Sequence, residues 1–468
     1  MTIHFETLGC KLNQIESESA AKAFYDQGYI ISSKNLTRAS GTQKDIGLAI
    51  INTCTVTGKA EQKARRLINM LLDLCPDAPI IVTGCYAELD GAYLEEIDNR
   101  VIILPGSKKG YLTDLAEAFP PSSLQKKFHL ENLKEWIDTK TQHEENLAFR
   151  LSTDVFFSHS RASLKIQDGC NSACSYCRVR LARGKAISLD AETICDRIRE
   201  LIEKGHKEVV LTGINLSQYL CPKTKMGFTA LLDYLIKNTD GIAFRISSLY
   251  PQSVDKAFCE LIQSERIRPH FHLSVQSGSD KILKAMKRPY NAKKVSEAVH
   301  LIRKAKEDVF IATDIIVGFP GETEEDFLET LSLCKELNFA WIHVFPFSAR
   351  PGTEAFLLKN TISAEILQKR VILMTELAKE QKKAFVLSQV GKKRLAIVEK
   401  RRSIPARAVC DNFLHVELSN LNTKEAQMLA GQEVRTLINH YENSNKIDAR
   451  ACVFSESDVQ LSRLQEIT

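Results

Sequence analysis

No stretch of this 468-residue chain approaches the about 18 uninterrupted apolar residues that a helix needs to cross a bilayer. The first residues, MTIHFETLGC, also lack the basic patch and apolar run of an export signal. A membrane protein is excluded on this reading, and a cytoplasmic, reducing setting is expected. Charge of one sign is missing too: 63 Lys and Arg stand against 58 Asp and Glu, a net +5, so the whole-chain balance favours neither acidic nor basic partners. What remains is a globular composition, 44% apolar, in a chain too long for one ordinary core, which implies two or three domains.

Thirteen cysteines are present. In a reducing compartment, clustered thiols are more often metal ligands or catalysts than disulfides. Cys75, Cys195, Cys221, Cys259, Cys334, Cys410 and Cys452 have no partner at ligand spacing and read as small buried hydrophobes. The segment IQDGCNSACSYCRVRLARG differs, because it places Cys170, Cys174 and Cys177 in a C-x3-C-x2-C run. About 0.01 such runs are expected by chance from this cysteine content. Three thiolates in one loop can hold three irons of a cubane and leave the fourth iron open to substrate. A structural zinc site completed by His159 or another residue is the alternative, since zinc also takes tetrahedral thiolate sets.

Apolar runs in the first 120 residues (IHFETL, LAIINT, PIIVTG, RVIILPG) alternate with helical patterns, the signature of a doubly wound parallel sheet. Residues 121–155 are charged, lack strand signals and read as a linker. Over 156–386, six strand patterns (SLKIQDG, EVVLTGI, AFRISSL, HFHLSVQ, FIATDIIVGFP, WIHVFPF) alternate with helices, which predicts a partial (βα)6 barrel with its active face at the strand C-terminal ends. After a helical stretch from about Ala364, residues 387–455 change to RLAIVEK, LHVELSN and EVRTLINHY, a small all-β domain. Lys379 to Arg407 carries a local charge excess of +8, suited to a phosphate backbone.

A second cysteine set is dispersed. Cys10 in ETLGCKLNQ, Cys54 in INTCTV and Cys85 in VTGCYA each follow a strand, so a parallel sheet would bring them to one edge, where α/β sheets place ligands. Gly9 and Gly84 would let backbone approach a bulky cofactor closely. Three unrelated buried thiols are the alternative. The segment VGFPGE, 317–322, lacks the Lys-Ser/Thr of a phosphate loop and reads as a tight turn.

With GCKLNQIESE, NTCTV, GCYAE, the C-x3-C-x2-C loop, VQSGSDKILKAMKRPY, DIIVGFPGET and FSARPGT in order, the chain resembles the methylthiotransferases of the radical S-adenosylmethionine superfamily over essentially its full length. The resemblance implies an auxiliary 4Fe-4S cluster on Cys10, Cys54 and Cys85, and a radical-generating 4Fe-4S cluster on Cys170, Cys174 and Cys177. It implies that the open iron of the latter chelates S-adenosylmethionine, with Gly213, Asn215, Ser274 and Gln276 in the cosubstrate region. It also implies an RNA-binding C-terminal domain of TRAM type, a tRNA substrate, and an electron donor such as a flavodoxin or ferredoxin. GCKLNQIESE is most similar to the branch that converts N6-threonylcarbamoyladenosine beside the anticodon to its 2-methylthio form. Isopentenyladenosine and a ribosomal-protein aspartate are the alternative acceptors, and a non-catalytic iron-sulfur protein that binds RNA is the alternative of another class. Two departures are visible: Arg180 stands where the family usually has proline, and the C-terminal domain has few glycines for a TRAM fold.

Overall fold

The computed structural model is described for residues 1–34, 36–122, 128–157, 159–359, 362–400, 405–444 and 447–454. Its first part is built on five parallel strands, β1 (Thr2–Thr7), β2 (Ile30–Ser32), β3 (Ile46–Thr53), β4 (Ile80–Gly84) and β5 (Val101–Ile103), in the order β2-β1-β3-β4-β5. Successive side chains alternate between two cores: Leu48 and Ile50 face one, Ala49 and Ile51 the other. The main helices follow the strands directly: α1 (Lys11–Asp26) after β1, α2 (Gly58–Leu74) after β3 and α3 (Cys85–Glu95) after β4. Thr57 caps α2 by accepting from Ala60 N at 3.1 Å, and Ala64, Ile68, Leu71 and Leu72 form its buried stripe. Within 121–155, Leu130–Thr141 is a helix that lays Leu133 and Ile137 into the first of these cores.

The central part contains β6 (Ala162–Lys165), the short antiparallel pair β7 (Gln167–Asp168) and β8 (Ile187–Ser188), then β9 (Glu208–Thr212), β10 (Ala243–Ile246), β11 (Ser248–Leu249), β12 (His270–Gln276), β13 (Phe310–Val317) and β14 (Trp341–Pro346). Strands β10-β9-β6 and β11-β12-β13-β14 form two parallel sheets, and β10 and β11 are one path interrupted at Ser247. The six expected strands therefore make an open arc. Phe271, Leu273, Val275, Ile311 and Ile315 point outward to the helices, which leaves His270, His272, Ser274, Ala312 and Asp314 on the inner face. A short helix, α4 (Val179–Arg183), closes the cysteine loop between β7 and β8.

Helix α5 (Ala364–Gln389) gives Met374 and Ala378 to the central core and Val386 to the last one. It leads into a closed barrel of β15 (Lys393–Val398), β16 (Ala406–Cys410), β17 (His415–Leu418), β18 (Glu433–Ser444) and β19 (Ile447–Val453), ordered β15-β16-β17-β19-β18. This barrel is tied to the N-terminal ends of the central strands by buried charge. Glu208 accepts from Arg245 at 2.7 Å and Arg268 at 2.9 Å, Arg268 also pairs with Glu433, and Arg245 donates to Cys410 O at 3.1 Å. Cys452 is half-buried, not buried as expected, and Asn439 donates to its sulfur at 2.8 Å. Arg401 and Arg402 of the basic run lie outside the described residues.

Candidate functional site

The dispersed cysteines lie at three adjacent strand ends that are stitched together. Asn13 in α1 donates to Leu8 O at 2.8 Å and Thr53 O at 2.9 Å, and the Thr53 hydroxyl donates to Thr83 O at 2.5 Å. Cys10 is the cap residue of α1 and Cys85 the first residue of α3, so both thiols sit at the positive ends of helices. Cys54 is buried between them; burial pushes its thiol up to about 11, and the nearby Cys10 and Cys85 push the same way. Gly9 (φ +101°) and Gly84 (φ +94°) serve this convergence. A Cβ on Gly9 would stand 2.6 Å from Cys54 Cβ, and one on Gly84 2.4 Å from Thr53 O, so the missing side chains make room for the neighbouring strand end.

The second set is held in the loop from β7 to α4. Cys170 N donates to Gly184 O at 3.1 Å, joining the loop's two ends, and Cys177 N donates to Cys174 O at 3.2 Å. Arg288 donates from Nη1 to Cys174 Sγ at 3.2 Å and from Nη2 to Ser274 O at 2.9 Å; its guanidinium lies over Tyr250, 4.2 Å from the ring centroid. Burial pushes the Cys177 thiol up to about 11, with Cys174 and Cys170 adding to it.

A buried ionic network joins the two sets. Arg183, at the end of α4, donates to Cys85 Sγ at 3.3 Å, Asn13 Oδ1 at 2.7 Å, Glu16 at 3.1 Å and Asp168 at 3.0 Å. Lys165 bonds Glu16 and Asp168, each at 2.9 Å, and Lys109 bonds Glu16 at 2.5 Å. Three cations against two carboxylates leave this network positive, and the surplus faces the sulfur of Cys85. A further bridge runs beside it, where Arg178 donates to Glu61 at 2.9 Å and to Thr55 at 3.1 Å, and Arg350 also pairs with Glu61.

Residues 164–334 match the radical SAM superfamily, and residues 2–106 match a family described as uncharacterized protein family UPF0004. A threonylcarbamoyladenosine tRNA methylthiotransferase of Treponema pallidum is 40% identical, covering 94% of this chain and 98% of its own. One from Aquifex aeolicus is 34% identical, over 94% and 100%. The chain belongs to the radical S-adenosylmethionine methylthiotransferase family. A tRNA-2-methylthio-N(6)-dimethylallyladenosine synthase of Bartonella henselae is more distant, 31% identical over 85% of this chain and 86% of its own. The fold is shared with a radical S-adenosylmethionine methyltransferase, TsrM from Kitasatospora setae, at a TM-score of 0.52 and 13% identity over 97% of this chain and 84% of that one.

A methylthiotransferase of this family uses 4Fe-4S clusters and S-adenosylmethionine, and the residues present fit such groups. Both sets comprise three free thiols, which do not pair off as disulfides, and an arginine donates to a sulfur in each. His159 is engaged elsewhere, with Nδ1 2.8 Å from Glu18. Of the residues expected near the cosubstrate, Asn215 donates from its backbone to Gln167 Oε1 at 2.8 Å and from its side chain toward Cys170 Sγ at 3.9 Å. A Cβ on Gly213 would stand 2.7 Å from that same Gln167 oxygen. Ser274 offers its carbonyl to Arg288, and Gln276 has a left-handed backbone, φ +74°. Gly213 and Asn215 follow β9, and Ser274 and Gln276 end β12; of the four, Asn215 reaches toward a cysteine of the loop.

Several residues escaped sequence reasoning. Arg288 was visible only within VQSGSDKILKAMKRPY, with nothing to mark it among the lysines there, of which Lys281 pairs with Asp326 at 2.6 Å and Lys287 with Glu354 at 2.5 Å. Arg183 and Arg178 carried no signal, because their partners Glu16, Asp168 and Glu61 lie far away in sequence or in plain helical text. Arg180 is exposed on the first turn of α4, where a backbone N–H has no helical partner, so the family's proline and this arginine suit the position equally. Gly318 (φ +82°) and Gly321 (φ +84°) make the expected turn, which Glu322 closes by accepting from Gly318 N at 3.1 Å.

Proposed function

We infer that this chain is a tRNA methylthiotransferase that converts N6-threonylcarbamoyladenosine next to the anticodon to its 2-methylthio derivative. Cys170, Cys174 and Cys177 would hold the 4Fe-4S cluster that binds S-adenosylmethionine, with Gly213, Asn215, Ser274 and Gln276 around the cosubstrate; Cys10, Cys54 and Cys85 would hold the second cluster. When bound, the first supplies reductive cleavage of S-adenosylmethionine and the second stands as the sulfur-bearing partner. The observation that carries the reading is Arg183, which links the loop of one triad directly to a sulfur of the other. That tie would keep two cofactor sites from separate parts of the chain near one another, as delivery of sulfur to an unactivated C–H position demands.

The polypeptide's own task is positioning. The buried network around Glu16, Lys109, Lys165, Asp168 and Arg183 would fix the cysteine loop of the central arc against the N-terminal sheet. Residues 1–120 would form the part with the second cluster, 121–155 a connection, 156–386 the radical core and 387–455 the RNA-binding domain. A cytoplasmic setting with a flavodoxin- or ferredoxin-like electron donor fits this chemistry, and no described helix is long and apolar enough to cross a membrane.

The choice of acceptor base rests on relatives: identity reaches 40% with the threonylcarbamoyladenosine enzymes against 31% with the dimethylallyladenosine enzymes. Mass spectrometry of tRNA nucleosides from cells lacking this protein tests it. Loss of the 2-methylthio group from threonylcarbamoyladenosine, with isopentenyladenosine derivatives untouched, is the expected result. The anaerobically reconstituted protein should also hold about eight irons, and about four per chain would sink the reading.

A further inference from the structure

A cavity of about 230 Å³ lies where the three parts of the chain meet. Lys11 enters it from the start of α1, His159 and Arg161 from the segment leading into β6, and Glu399, Lys400 and Val409 from the C-terminal barrel. Lys400 is exposed, and its backbone N–H donates to Ser160 Oγ at 2.6 Å, which ties the barrel to the segment before β6. Sites that enclose a whole small molecule run to roughly 300–1,000 Å³, so this cavity suits a single group rather than a nucleoside.

Its walls carry more positive charge than the protein neutralises. Lys11, Arg161 and Lys400 line it against a single carboxylate, Glu399. Lys11 has no hydrogen bond or ion pair among the described residues, and Arg161 and Arg245 each repel it more than Glu208 attracts it. Arg161 Nη1 is buried without a hydrogen-bond partner, 3.5 Å from a Glu208 carboxylate that already accepts from Arg245 and Arg268. Burial brings the Arg161 guanidinium down to about 10 against the pull of Glu208, and Arg245 adds to the fall. A buried cation in this position is stabilised by an anion placed beside it, and phosphate is the anion that Arg and Lys hold best through charge-assisted hydrogen bonds.

We propose that this cavity seats one phosphodiester of the substrate RNA, held by Lys11 and Arg161 with Lys400 at the rim. This rests on the reading of the chain as a tRNA-modifying enzyme and adds a place where the RNA backbone is gripped. The barrel side of the cavity belongs to the basic run from Lys379 to Arg407, which supplies the wider field for a polyanion. Phosphate contacts set the register of a nucleic acid on its protein without reading sequence. The seat spans the N-terminal sheet, the central arc and the barrel, so the RNA is gripped at the seam of all three. Lys11 directly follows Cys10, which brings the gripped strand to the N-terminal cysteine set.

The test measures binding of anticodon stem-loop RNAs to the cluster-loaded protein over a range of salt. One phosphate contact contributes about 0.7–0.9 to the slope of log K against log salt, and about fivefold in affinity at roughly 0.15 M salt. Lys11→Gln should lower the slope by that amount and weaken all stem-loops alike. Lys256→Gln, which removes an equal charge from a side chain 92% exposed on another helix, should leave the slope unchanged. In stem-loops with one neutral methylphosphonate at a time, a single linkage should cost the wild type affinity and cost Lys11→Gln nothing. Arg161 stands nine residues before Cys170, and Arg161→Gln should give the same pattern, which decides the matter even where Lys11→Gln loses iron from Cys10. Unchanged slopes in both variants would overturn the proposal. So would saturable binding of inorganic phosphate that Lys11→Gln abolishes while RNA affinity stays the same, or a loss confined to RNA carrying threonylcarbamoyl, whose carboxylate would then be the anion. Absence of RNA binding by the wild type would overturn both the proposal and the reading beneath it. The expected slopes with modification of isopentenyladenosine instead would fault the acceptor alone and leave the phosphate seat standing.

Discussion

Among single residues, Arg183 bears most directly on the chemistry. It gives a charge-assisted hydrogen bond to Cys85 Sγ and closes ion pairs with Glu16 and Asp168 in a buried site. Hydrogen bonds to sulfur and local positive charge both favour the more negatively charged, reduced form of a cluster. Arg183→Met should therefore lower the midpoint potential of the cluster proposed on Cys10, Cys54 and Cys85 by roughly tens of millivolts, and Arg183→Lys by less. A redox titration followed by electron paramagnetic resonance, with Cys170 replaced so that only this cluster contributes, measures it. An unchanged potential would reduce Arg183 to a structural tie. Arg288 has the corresponding place at Cys174, so each triad has its own arginine.

At the scale of elements, the N-terminal site depends on how closely strand ends approach. Gly9→Ala forces a Cβ to within 2.6 Å of Cys54 Cβ and 2.9 Å of its sulfur, at a backbone φ of +101°. Iron content after reconstitution should fall from about eight to about four per chain, with S-adenosylmethionine cleavage kept. Gly28→Ala is the control, since φ is +92° there but nothing lies within 4 Å, and only the roughly 1–2 kcal/mol of left-handed strain should appear. These strand ends were legible in the sequence because β1, β3 and β4 each carry apolar residues and a cysteine follows each strand within three residues. The short edge strand β2 was not, with Ile30 63% exposed and only three residues to show a period. Nor were β16 and β19, whose Ala, Arg and Cys residues give weak strand patterns and owe their place to barrel closure. The triads could be read because thiols at strand ends are rare; Arg183 and Glu16 could not, because an ion pair across 167 residues leaves no local trace.

Across the whole molecule, buried ion pairs mark the joints, beside an apolar core that runs from Phe310, Ala312 and Ala340 into the C-terminal barrel. Glu61 meets Arg178 and Arg350 between the N-terminal sheet and the central arc, and Glu208 meets Arg245, Arg268 and Arg161 where the C-terminal barrel docks. At Glu208, burial alone would raise the carboxyl pKa. The guanidinium groups of Arg245, Arg161 and Arg268 outweigh it and bring the pKa down to about 2, from an ordinary 4.5. A carboxylate depressed on folding stabilises the native state fully above its unfolded value, and that contribution is lost as pH falls through the folded value. The contribution of Glu208 should therefore be intact above about pH 4.5 and drain away toward pH 2. Glu208→Gln should cost about 3–5 kcal/mol at neutral pH by stranding Arg245 and Arg268, and should flatten the acid limb of the stability curve. Denaturant melts of both proteins between pH 2 and pH 7 measure the two effects together. A variant that loses stability at pH 7 but keeps the wild-type acid slope would place the pH dependence on other carboxylates.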